Sequence, residues 1–64
     1  MKRKDILRKL ALAGCILQEG GKHTKVYDTG GRYLAAVPRH HEIKEALTEQ
    51  IARQTGVNLR EKKQ

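Results

Sequence analysis
The chain has 64 residues, a formal charge of +7, and only Tyr27 and Tyr33 as aromatics. So short a chain holds one domain and buries about 60% of the surface its unfolded form exposes. A core of Leu, Ile, Val and Ala leaves no room for a deep, dry pocket or a small-molecule cofactor, so any chemistry belongs on a surface or in a shallow groove. The first element runs from Lys4 to Ala13, where Ile6, Leu7, Leu10, Ala11 and Ala13 fall at helical spacing. Gly14 follows as its C-terminal stop. Cys15–Glu19 reads as a strand, although Leu17 also suits a turn of helix. After the Gly20-Gly21 break, His23–Asp28 is a second strand, rich in β-forming residues. Thr29-Gly30-Gly31 makes a hairpin turn by composition. Arg32–Val37 is the third strand, ended by Pro38, which lacks an amide hydrogen.

Glu42–Thr55 reads as the second helix, with Ile43, Ala46, Leu47, Gln50, Ile51 and Gln54 along its inner stripe. Glu42 then lies at the positive end of the helix dipole. Gly56 stops the helix, Val57 folds back on the apolar side, and residues 58–64 read as a charged, mobile tail. The domain is therefore expected over residues 1–57. The predicted fold class is α+β: helix, three-stranded antiparallel sheet, helix, with both helices on one face and the other face open. This is the element order of double-stranded-RNA-binding domains, which by itself establishes no RNA binding.

Fourteen Lys and Arg against seven Asp and Glu favour a polyanionic partner. No apolar run approaches the roughly 18–20 residues that span a bilayer, so no membrane partner is expected. Met1-Lys2-Arg3-Lys4 resembles the start of a signal peptide, but Asp5, Arg8 and Lys9 interrupt the apolar stretch that should follow. With the lone Cys15, this points to a reducing, cytoplasmic setting. The first helix should be cationic on its outer side, through Lys2, Arg3, Lys4, Arg8 and Lys9. Three glutamates on the second helix, Glu42, Glu45 and Glu49, make docking in a DNA major groove awkward. His40 and His41 lack ligand spacing, and no metal site is expected.

Strand alternation puts His23, Lys25 and Tyr27 on one face, and Thr24, Val26 and Asp28 on the other. The Val26 side is the better core candidate, which leaves His23 and Lys25 on the open face. Tyr27 suits either base stacking or plain packing. Arg39, beside the Pro38 corner, is a further phosphate ligand. Composition alone makes His23 an ordinary surface histidine.

Three stretches together resemble the HicA toxins, the YcfA-like family. They are the opening helix ending Ala13-Gly14, the Gly20-Gly21-Lys22-His23 run, and Val37-Pro38-Arg39-His40-His41-Glu42-Ile43 with the helix ending Arg53-Gln54-Thr55-Gly56-Val57. Lys22 stands where the family often has Ser, Cys15 where an aromatic is common, and Ala46-Leu47 where Gly-Thr is frequent. The resemblance implies an mRNA-cleaving toxin, neutralised by a HicB-type antitoxin, with His23 as catalytic residue. RNA carries its own nucleophile, the 2'-hydroxyl, so such an enzyme needs proton transfer and charge stabilisation. Imidazoles ordinarily titrate at about 6.5, which suits the first task. Lys22 and Lys25 supply charge, while Gly20 and Gly21 admit a phosphate close to the backbone. The competing reading is a non-catalytic RNA-binding module of the same fold.

Overall fold
The computed structural model describes residues 1–59, so most of the expected tail lies outside the described residues. The elements are α1 (Arg3–Leu12), β1 (Ile16–Glu19), β2 (His23–Tyr27), β3 (Tyr33–Pro38) and α2 (Glu45–Thr55). The strands form one antiparallel sheet in the order β1-β2-β3. The α+β class and the helix, three-strand, helix order are those expected.

Helix α1 buries Ile6 and Leu10 completely and rests Leu7 against the same cluster. Gly14 ends it at φ 96°, a conformation that strains side-chain-bearing residues. The Gly14 amide donates to the Ala11 carbonyl, and the Cys15 amide to the Leu10 carbonyl, both at 3.0 Å. This paired closure satisfies two orphan carbonyls and turns the chain directly into β1. At the far end of the sheet, Asp28 sits in the β2–β3 loop and not in the strand. Its Oδ1 accepts the amides of Gly30 at 2.9 Å and Arg32 at 2.8 Å, an Asx-type turn that fixes the connection.

One sheet face is covered. Thr24, Val26, Ala35 and Val37 are buried, and the apolar three join Ile6, Leu10, Ile43, Ile51 and Leu59 in a single core cluster. The opposite face carries exposed His23 and Lys25, as strand alternation predicts. Leu59 is fully buried, which places it in the core although it falls inside the segment read as a tail.

Two expectations for the second helix need correction. It starts at Glu45, not Glu42. Residues 42 and 43 are held extended by the chain start: Lys2 bridges Glu42, the Ile43 amide donates to the Met1 carbonyl at 2.8 Å, and the Arg3 amide donates to the His41 carbonyl at 3.0 Å. Glu42 meets the Met1 amino group at 3.0 Å instead of a helix dipole. The inner stripe also differs. Ala46, Gln50 and Gln54 are exposed, whereas Thr48, Ile51 and Thr55 turn inward. Threonines can face the core here because their hydroxyls donate to the helix backbone, Thr48 to the Lys44 carbonyl at 3.0 Å and Thr55 to the Ile51 carbonyl at 2.8 Å.

The hydrogen bond and charge of the Met1 amino group hold the Glu42 carboxyl below its ordinary pKa. A depressed carboxylate contributes stability above its unfolded pKa and loses it as pH falls through the folded value. Glu42→Gln should therefore lower the melting temperature slightly at neutral pH and flatten the acid limb of the stability curve below about pH 4.3. Identical acid limbs for the two proteins would remove this clasp from the account.

Candidate nucleic-acid interface
The site is built on the β1–β2 hairpin. The Gly20 amide donates to the His23 carbonyl at 2.8 Å, closing the turn around Gly21 and Lys22. A Cβ on Gly20 would lie 2.8 Å from that carbonyl oxygen, so the closure requires glycine. It also commits the Gly20 amide, which is no longer a free donor for a phosphate. Gly21 is exposed, with open space where a Cβ would be.

His23 is the first residue of β2 and pairs with Pro38. Its side chain is exposed and has no hydrogen-bond partner among the described residues. Lys22 and Lys25 are exposed beside it. The Lys25 stem leans toward the turn, its Cε 3.8 Å from where a Gly20 Cβ would sit. Tyr27 is half-buried on the same strand, its ring 5.8 Å from that of Tyr33 in an edge-to-face pair. His23, Lys25 and the turn are thus brought together, with Tyr27 four residues along the same face.

Arg39 follows Pro38 but is not free. Its guanidinium binds the Glu19 carboxylate and donates to the Gly20 carbonyl at 3.2 Å. Sequence reasoning missed Glu19, and it also placed Arg3 on the outer side of α1. Arg3 instead turns inward, donating from Nε to the Pro38 carbonyl at 3.1 Å and from Nη2 to the Thr24 hydroxyl. That hydroxyl donates onward to Glu19 Oε1 at 3.2 Å. The result is a chain, Arg3–Thr24–Glu19–Arg39, behind the hairpin that carries His23. Its one visible signal was the alternation of β2, which puts polar Thr24 on the same face as Val26.

Thr24→Val keeps the shape and deletes the hydroxyl, leaving Arg3 short of a partner behind the sheet. The expected loss is about 1–3 kcal/mol in chemical denaturation. An unchanged midpoint would mean that the Arg3 contact contributes nothing.

Burial, and then the Asp28 charge, push the thiol pKa of half-buried Cys15 up, away from the thiolate form. Among the described residues no three His, Cys, Asp or Glu side chains gather in a metal-binding group, and no helix is long and apolar enough to cross a membrane. His40 and His41 are exposed in the connector before α2. Two surface depressions, about 410 Å³ along α1 and α2 and about 380 Å³ around His40 and Leu47, are not lined by His23.

Residues 3–57 match the family described as "HicA toxin of bacterial toxin-antitoxin". The chain belongs to the HicA toxin family. The match spans all five elements of this HicA chain and ends just before Leu59. No curated protein and no solved structure gives a significant match. For a HicA toxin, the uncovered sheet face with His23, Lys22 and Lys25 is the natural candidate for chemistry, because the other face is spent on the core.

Proposed function
We propose that this HicA toxin is an endoribonuclease in which His23 moves the protons, and that a HicB-type antitoxin neutralises it. The observation that carries the reading is an unpartnered, exposed histidine between two exposed lysines, on the sheet face the helices leave open. RNA lies on that face with a phosphate at the turn. His23 takes the 2'-hydroxyl proton as the 2'-oxygen attacks phosphorus. The bond to the 5'-oxygen breaks, and that oxygen leaves as the alcohol, taking the proton that the His23 imidazole has just accepted. The products are a 2',3'-cyclic phosphate and a 5'-hydroxyl. Lys22 and Lys25 stabilise the charge that builds on the phosphorane oxygens. Gly21 leaves room for the phosphate, and Arg39 serves as a further phosphate ligand when RNA draws it from Glu19. Contacts to the backbone by lysine and arginine are sequence-blind and weaken steeply with salt.

The test is an RNA oligonucleotide incubated with purified protein, beside the same strand carrying 2'-deoxy or 2'-O-methyl sugars. Cyclic-phosphate ends should form on the RNA alone. Cleavage of the blocked strands would exclude the 2'-hydroxyl mechanism. Binding of RNA without any cleavage would make the chain a non-catalytic RNA-binding module.

A further inference from the structure
The open sheet face has a second feature, at the end away from His23. Ile16 pairs with Tyr27 and Tyr27 with Tyr33, so these three residues form one row across all three strands. Ile16 is 49% and Tyr33 55% exposed. None of the three belongs to the core cluster or to the residues packed against it. The tyrosine rings meet at 75°, which leaves ring surface open that a parallel stack would cover. Both aromatics of the chain are therefore spent on the face that the core does not use.

Charge tells what kind of partner this row suits. The neighbouring row is Gln18–Lys25–Ala36, with Lys25 exposed. Exposed Arg32 precedes Tyr33. The nearby acid, Asp28, has its Oδ1 occupied by the Gly30 and Arg32 amides. Along β2 the face thus runs from aromatic row to lysine to His23. Tyr27 lies four residue steps along the strand from His23, about 13 Å, short enough for one extended strand of RNA to touch both. Aromatic rings beside a line of cations are what a single-stranded nucleic acid needs, because its bases have free faces to stack. A duplex has none to offer, since its bases already cover one another.

We propose that Ile16, Tyr27 and Tyr33 form a stacking platform for unpaired bases, so that RNA reaches His23 as a single strand. This rests on the RNA-cleaving reading above and adds to it the form of the substrate and two residues, Ile16 and Tyr33.

The experiment measures binding separately from cleavage. His23→Ala protein is titrated, by fluorescence anisotropy, into a labelled unstructured RNA and into an abasic strand of equal length and charge. Base-bearing RNA should bind about tenfold or more tightly than the abasic strand. Tyr33→Leu in the same background, its fold checked by circular dichroism, should lose that advantage while binding the abasic strand unchanged. Ile16→Thr should lose part of it. If Tyr33→Leu still prefers base-bearing RNA as strongly as its parent, the platform is overturned, whatever the wild-type protein cleaves. If Tyr33→Leu leaves RNA binding intact but abolishes binding of the purified antitoxin, the row is a protein-docking surface and the proposal is overturned. An intact stacking preference in a protein whose wild type never cuts RNA would support the platform and remove the nuclease reading alone. No binding to any RNA would remove both.

Discussion
His23→Ala is expected to abolish RNA cleavage, and with it growth arrest on expression, while leaving the fold unchanged. The imidazole is exposed and makes no hydrogen bond among the described residues, so its removal breaks nothing that holds the hairpin. Surface changes of this kind move stability by no more than about 0.5 kcal/mol. Proton transfer by a positioned histidine is worth roughly 100- to 10,000-fold in rate. Lys22 and Lys25 remain in the variant, so RNA affinity should fall little. The discriminating result is the pairing of lost cleavage with retained binding and an unaltered circular dichroism spectrum. Cleavage at the wild-type rate would strip His23 of its role.

Leu59→Ala should have the largest effect on stability. The side chain is fully buried with Ile6, Leu10, Ile43 and Ile51, and it follows a helix that has already ended at Thr55. Truncating a buried leucine costs about 2–5 kcal/mol, through lost transfer energy and the cavity left behind. A domain of this length holds only roughly 3–10 kcal/mol in total, so the variant should melt far lower or fail to fold at ambient temperature. Asn58→Ala, at the exposed neighbour, is the control and should shift the midpoint by less than about 0.5 kcal/mol. Equal midpoints for wild type and Leu59→Ala would mean that residue 59 is a tail after all.

Much of the architecture was legible in the sequence because it depends on local patterns. Ile6 and Leu10 at helical spacing, alternation through His23–Tyr27, and Gly14 and Gly56 as stops each report a short-range preference. What was not legible depends on contacts between distant residues. Glu42 looks like a helix start until Met1 and Lys2 claim its segment. The α2 stripe, drawn by spacing from Ile43, runs through Ala46, Gln50 and Gln54, whereas the helix that starts at Glu45 turns in Thr48 and Thr55, whose hydroxyls donate to the helix backbone. Leu59, isolated among polar neighbours, shows no period at all. At the candidate site, the face shared by His23, Lys25 and Tyr27 followed from alternation. Arg3 and Glu19 did not, because a charged residue near a chain end or beside a turn reads as solvated whether or not it has a partner. Tyr33 was visible as an aromatic, but its place beside Tyr27 depends on the β-bulge register of β2 and β3.

The Arg3–Thr24–Glu19–Arg39 chain bears on how the molecule breathes. Proteins open in cooperative units, and turns at the tips of hairpins ordinarily fray early and at little cost. Here the hairpin tip is fastened from behind to the first residue of α1 and to the end of β3. Opening it means detaching both, so the turn and the start of the first helix belong to one cooperative unit. His23 is therefore mounted on a turn tied to two distant elements, and in the proposed reaction the Arg39 end of that tie is the one that gives way to RNA.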